Sequence, residues 1–310
     1  MGRPDLDHTG AILLRQAFAT DRPIEILRFL HAGLATGIRG ALVTLTDIVD
    51  GASKPLGAHM AVLENGRYCG LVSGGCVEAA VAREAIIALA NGNDHICRFG
   101  KGSPYFDIVL PCGGGIGLTI HVMRDPDPIA ALLAGLADRR PGTLTYDICA
   151  HSLTFRPGLA ATGWHGSLFN SSYRAETAIV LSGEGVEAKC FEAIASAAGL
   201  DVIPAETALN FLDGDPEQAF VLLHHDIARE LPVLRAALAT QAFFIGCLGS
   251  RRTHETRRHI LLEEGYTEEQ VARIHAPVGL FGPAREARGV AVSVLAEIIS
   301  LIEARRGHPV

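Results

Sequence analysis

Apolar positions recur at helical spacing between Arg22 and Gly37, where Ile26, Leu27, Leu30 and Leu34 fall on one face and Gly37 ends the run. This is the pattern of an amphipathic helix. The pattern then shifts to strand-like runs, ALVTLTDIVD from Ala41 and AHMAVLE from Ala58, with Glu64-Asn65-Gly66 as a hairpin signal before RYCGLVS. After Ser73-Gly74-Gly75-Cys76 the helical period returns. Val77, Val81, Ala85, Ala88 and Leu89 share a face, and Asn91-Gly92 closes the segment. Strands are predicted around His95–Phe99, Tyr105–Leu110, Ile116–Met123 and Thr143–Ile148, with a helix near Pro128–Ala137. From there to about Arg174 the chain is turn-rich and reads as a domain junction.

A second regime starts near Ala178. AIVLSGEG is a buried-strand run entering a glycine-containing turn, followed by helical periodicity through Phe191 and Ile194. DVIPAE, AFVLLHHD and AFFIGCLGS read as further strands separated by helical segments. Val290, Val294, Ile298 and Leu301 mark one face of a last helix around Arg288–Arg305. Strands alternating with helices imply βαβ units and a parallel sheet. The expected architecture is therefore α/β: a mixed α/β domain over residues 1–174, junction included, and a Rossmann-like parallel-sheet domain over 175–310.

Composition narrows the function classes. With 310 residues, 48% hydrophobic and 20% charged, the chain has material for two ordinary globular cores. A net charge of −7 argues against a general nucleic-acid binder. No secretory leader, myristoylation pattern or membrane-spanning run is read, so the expected location is the cytoplasm. Seven cysteines without a CxxC pair exclude a disulfide framework and a structural zinc site, leaving most of them as small buried residues.

Two cysteines stand apart. Ser73-Gly74-Gly75-Cys76-Val77-Glu78 places a thiol behind two glycines at a helix start, where free N–H groups and the positive dipole end favour a thiolate. Ser73 is a candidate helix cap, and Glu78 either caps the turn or accepts a proton beside a ligand. Pro111-Cys112-Gly113-Gly114-Gly115 repeats the theme, its glycines reading as an open loop with exposed amides. If the two turns meet, Cys76 and Cys112 make a soft-ligand, anion-friendly pocket suited to a sulfur-rich metal centre. The plainer alternative is that both are packed small residues.

Gly183, Gly185 and Ala188 match GxGxxA after a strand, with Glu206 near the end of the next, so a dinucleotide site for NAD(P) is an option. Glu184 and Glu187 in the same turn oppose a pyrophosphate. The later turn is better suited to an anion: Gly249 and Ser250 precede a helix carrying Arg251, Arg252 and Arg257, and a phosphate is expected there. A solvated basic helix face is the rival reading. His224, His225 and Asp226 follow a strand where α/β ligand sites open, with at most one histidine doing chemistry.

SGGCVE, SPYFDIVLPCGGG, GSRRT, HAPVGL and the terminal VAVSVLAEII helix together resemble the XdhC/CoxI family of xanthine dehydrogenase accessory proteins. The resemblance runs from about Ala41 to Ile302. It implies a two-domain, non-catalytic protein that binds the molybdenum cofactor, supports its sulfuration and delivers it to apo xanthine dehydrogenase or a related molybdenum hydroxylase. A cysteine desulfurase is the implied sulfur source, and a homodimer fits such a protein. In that frame Cys76 and Cys112 face the metal, the glycine turns hold its oxo or sulfido groups, and Gly249–Arg252 takes the phosphate across a shared gap. The turn SGEGVE departs from the family's fuller glycine pattern. A persulfide carrier using Cys76 and an NAD(P)-dependent oxidoreductase using the Gly183 turn are the alternatives.

Overall fold

The long apolar run from Gly40 becomes a central strand buried on both faces, which is why it lacks the clean alternation of a half-exposed strand. The computed structural model describes residues 12–103, 113–208 and 215–306, so the strand expected over 105–110 lies outside the described residues. The chain divides into two compact units at Arg174/Ala175.

In chain order the first unit contains β1 (Arg15–Phe18), α1 (Pro23–Ala35), β2 (Gly40–Val49), β3 (His59–Leu63), β4 (Arg67–Gly70) and α2 (Glu78–Asn91). There follow β5 (His95–Gly100), β6 (Gly115–Val122), α3 (Asp127–Ala137), β7 (Gly142–Asp147), β8 (Ser152–Pro157), β9 (Gly163–His165) and β10 (Leu168–Tyr173). Six strands form one sheet in the order β1-β4-β3-β2-β6-β5. Helix α2 covers one face with Val81, Ala82, Ala85, Ala88 and Leu89. Its alanines let the helix approach closely, and Gly92 ends it in the left-handed conformation at φ 71°. On the opposite face α1 packs Ile26, Leu27 and Leu30, and α3 adds Ile129, Leu132 and Leu136. Leu27 and Leu30 are fully buried, and each contributes about 2 kcal/mol of burial.

The segment read as an irregular junction is instead ordered. It supplies β8, β9 and β10 to a four-stranded antiparallel sheet of order β8-β7-β10-β9. Two buried polar contacts tie this sheet to the first. His59 on β3 bonds Tyr173 on β10 at 2.5 Å, and burial holds the imidazole down to about 4, so it is neutral at pH 7. Asp94 accepts from His121 Nδ1 (2.8 Å), Arg124 (2.8 Å), the Val122 N–H (3.0 Å) and the Tyr146 hydroxyl (2.9 Å).

The second unit contains β11 (Ala178–Ser182), α4 (Val186–Ala197), β12 (Asp201–Pro204), α5 (Ala205–Ala208), β13 (Gln218–Leu222), α6 (Ile227–Leu238) and β14 (Phe244–Cys247). It ends with α7 (Arg251–Glu263), α8 (Glu268–Ala272), β15 (Ile274–His275) and α9 (Ala287–Arg305). All five strands are parallel, in the order β12-β11-β13-β14-β15. Helices α4 and α9 pack Phe191, Ala195, Val294 and Ile298 on one face, while α6, α7 and α8 pack Leu234, Leu261 and Val271 on the other. This is the doubly wound, Rossmann-like arrangement expected, with its crevice at the switch point between β11 and β13.

Candidate functional site

Antiparallel pairing of β2 with β3, β3 with β4, β2 with β6 and β6 with β5 brings several chain ends to one edge of the six-stranded sheet. The ends of β2, β4 and β5 and the starts of β3 and β6 all lie there. The Ser73–Cys76 turn leaves this edge after β4, and Gly113–Gly115 enters it before β6.

Glu78 builds the cysteine turn. Its buried carboxylate accepts from the N–H groups of Val72 (3.1 Å), Ser73 (2.8 Å) and Val77 (3.1 Å), and from the Ser73 hydroxyl (2.9 and 2.8 Å to its two oxygens). Ser73 Oγ in turn accepts the Cys76 N–H at 3.2 Å. Glu78 is thus an internal brace whose oxygens are engaged, and the expected role as proton acceptor beside a ligand gives way to the capping role. Ser73 is not the helix N-cap; that residue is Val77, which makes no side-chain cap bond. Gly75 adopts φ 99° with open space beside it, and a Cβ on Gly74 would lie 3.6 Å from Ser53 Oγ. The braced turn leaves the Cys76 thiol exposed.

The second turn differs from its reading as an open loop. Cys112 itself lies outside the described residues. Gly113 has φ 70° and open space around its α-carbon, but a Cβ on Gly114 would strike the carbonyl oxygen of Gly51 and approach that of Val49 to 2.7 Å. Gly114 is therefore required by backbone crowding. The loop after β2 links the two turns, meeting Gly114 through Gly51 and Gly74 through Ser53. Three other cysteines are structural: burial pushes the Cys69 and Cys97 thiols up to about 12, and Cys247 higher still. Among the described residues no group of three or more His, Cys, Asp or Glu side chains is arranged to hold a metal ion.

Sequence reasoning missed four charged residues at this edge. Arg98 donates to Asp47 at 2.5 Å, and Lys101 pairs with Asp50. The available signal was Gly117, an isolated glycine inside a strand, which marks a close approach. A Cβ there would stand 2.8 Å from that of Asp47.

In the second unit, Ser250 caps α7 by accepting the Thr253 N–H at 3.2 Å, and Gly249 turns at φ 127° against the Thr253 side chain. Arg251 and Arg252 are exposed on the first helical turn and form no ion pair among the described residues. Arg257 does not join them. It is fully buried in a two-pronged pair with Glu230 (2.5 and 2.9 Å) and donates to the Leu248 carbonyl at 3.0 Å, steadying the chain just before Gly249. Asp226 caps α6 by accepting the Ala228 N–H.

The switch-point crevice is laced across. Ser182 bonds His224 at 2.8 Å, Arg229 meets Glu184 at 3.2 Å, and His225 meets Glu187 at 3.5 Å. Desolvation lowers the His224 pKa below its ordinary value. A Cβ on Gly185 would be 2.8 Å from the Glu187 carboxylate, so a negative group already stands at the α4 N-terminus where a pyrophosphate would rest. Glu206 is exposed at the start of α5.

A family model for the XdhC Rossmann domain matches residues 179–298, and one for the XdhC and CoxI family matches residues 34–100. Over 291 residues the chain is 46% identical to the molybdenum cofactor insertion chaperone PaoD of Escherichia coli (strain K12), covering 92% of this chain and 91% of PaoD. The chain belongs to the XdhC/CoxI family. It is also 26% identical over 264 residues to the uncharacterized protein YqeB of the same organism, covering 83% of this chain and 43% of YqeB. A crystal structure described as a xanthine dehydrogenase from Bacillus halodurans superposes with a TM-score of 0.70 at 19% identity, covering 91% of this chain and 96% of that one. At that identity the likeness speaks to the fold alone. No described helix is long and apolar enough to cross a membrane.

Proposed function

We propose that this XdhC/CoxI-family chain is a chaperone that carries the molybdenum cofactor as cargo and inserts it into an apo molybdenum hydroxylase, xanthine dehydrogenase or a related enzyme. The observation that carries the reading is the Cys76 turn: an exposed thiol on a braced loop, at a sheet edge shared with Gly113–Gly115. The chaperone name of a relative 46% identical along nearly its whole length supports it. Cys76 meets the soft metal–sulfur end of the cargo, since sulfur ligands suit such centres. Cys112 belongs to the same proposal by its place beside Gly113. Gly74 and Gly75 let the cargo approach the backbone. In the second unit the Gly249–Arg252 turn offers helix N–H groups and two exposed guanidinium groups to a phosphate. In the fuller form of this reading, a cysteine desulfurase supplies sulfur to the cofactor before handover, and the protein works in the cytoplasm.

The handover requires reversible binding, weaker than that of the receiving enzyme. Replacing Cys76 by Ala and measuring cofactor retained after gel filtration tests the assignment. Loss of most of the cofactor is expected; unchanged retention removes Cys76 from the scheme.

A further inference from the structure

The four charges at this end of the sheet form two ion pairs, one across β6 at Gly117 and one beside its first residues. In register, Arg98 on β5 lies opposite Gly117 on β6, and Gly117 lies opposite Asp47 on β2. The Arg98–Asp47 pair therefore spans β6 directly above Gly117. Lys101 and Asp50 sit one residue beyond the row Gly100–Gly115–Val49, and the Lys101 N–H donates to the Gly114 carbonyl at 3.0 Å. The second pair thus crosses the same strand at its root. Both pairs thus place the cation on the β5 side and the carboxylate on the β2 side of β6, whose glycines, with Gly114 before them, allow the close approach: a Cβ would meet Asp47 at Gly117, the Lys101 backbone at Gly115, and the Gly51 and Val49 carbonyls at Gly114.

These pairs are poor staples. Their side chains are 43% and 47% exposed at Arg98–Asp47 and 62% and 57% exposed at Lys101–Asp50, so water screens them and they add little to stability. Backbone pairing already fixes the three strands. What the arrangement does provide is two accessible cations held in place yet able to exchange partners. A guanidinium and an ammonium bind phosphate-like oxygens as readily as carboxylates. The loop after β2 that begins with Asp50 also carries Ser53, which approaches Gly74 of the cysteine turn; β5 to β2 spans roughly 10 Å at the spacing of paired strands.

We propose that Arg98 and Lys101 hold an oxyanion group of the cargo, a metal-oxo or phosphate oxygen, and that Asp47 and Asp50 are built-in competitors that reclaim the cations at handover. This rests on the chaperone reading above and deepens it. A carrier must release what it binds, and an internal carboxylate that re-pairs with each cation weakens retention without loosening the fold.

The two halves of each pair then have opposite effects, which a structural pair would not give. In the full-length protein, D47N/D50N and R98M/K101M are compared with wild type, each checked for unchanged helical content by circular dichroism. Calorimetry with molybdate and, separately, inorganic phosphate distinguishes a metal-oxo from a phosphate source. Removing the cations is expected to weaken binding of the preferred anion about tenfold or more, and removing the carboxylates to tighten it about threefold or more. With the cofactor itself, D47N/D50N retains more and transfers it more slowly. Equal-direction changes in the two variants, or no change in either, overturn the proposal. A wild-type protein that retains no cofactor defeats the chaperone reading, whereas opposite signs with molybdate or phosphate still establish the oxyanion site.

Discussion

Replacing Glu78 by Ala is expected to unmake the cysteine turn. The carboxylate serves three backbone N–H groups and the Ser73 hydroxyl, and Val72, Ser73 and Val77 are 0%, 5% and 2% exposed. Each hydrogen bond to a charged group contributes about 1.5–3 kcal/mol, and a buried donor left without a partner costs about 1–3 kcal/mol. Water entering from the exposed Cys76 side rescues part of this, so the expected loss is about 3–5 kcal/mol. That is a large share of the roughly 5–15 kcal/mol that holds a typical domain together. Glu78→Gln keeps one acceptor oxygen but turns an N–H₂ group toward donors, and is expected to cost about half as much. Urea unfolding followed by the fluorescence of Trp164, the single tryptophan and a residue of the same unit, reads both. A loss below about 1 kcal/mol for Glu78→Ala would refute the view that this carboxylate organises the turn.

Four further outcomes follow from the surroundings of named residues. Gly117→Ala must displace Asp47, whose Cβ lies 2.8 Å from the new atom, and is expected to lower stability by about 1–3 kcal/mol in chemical denaturation. Gly113→Ala meets open space and adds only backbone strain of about 1–2 kcal/mol. Burial raises the Asp94 pKa, but the bonds from His121, Arg124 and Tyr146 outweigh it and hold the carboxyl well below the usual range. A depressed folded-state pKa stabilises above the unfolded value of about 3.9 and is lost as pH falls below it, so Asp94→Asn is expected to flatten the acid limb of a stability–pH profile below about pH 4. Arg257→Met alone strands buried Glu230 and is expected to cost about 3–5 kcal/mol. The double variant Arg257→Met/Glu230→Met should recover most of that in thermal melts.

The periodic elements were legible in the sequence because burial imposes their spacing. The α2 face from Val77 to Leu89 with its Gly92 stop, and the buried runs of β11, β13 and β14, are examples. The strands β8, β9 and β10 were not legible: exposed Thr154, Arg156 and His165, together with Gly158, Gly163 and Gly166, hide the alternation. Registry was also hidden, since no local pattern places Arg98, Gly117 and Asp47 in one row. Arg257 looked like its exposed neighbours Arg251 and Arg252, yet a signal existed. It lies four residues before buried Leu261, as Glu230 lies four before buried Leu234, so both charges sit within the apolar stripes of their helices. The motif SGGCVE correctly marked a built turn. Which atoms it leaves free depended on where the Glu78 carboxylate went.

The most direct test of the carrier role is a transfer assay. Purified protein is loaded with molybdenum cofactor, stripped of free cofactor, and mixed with an apo molybdenum hydroxylase, with Cys76→Ala run in parallel. The account predicts that wild type restores activity and Cys76→Ala, failing to carry cofactor through the stripping step, does not. Equal activity from both, or none from either, would contradict it.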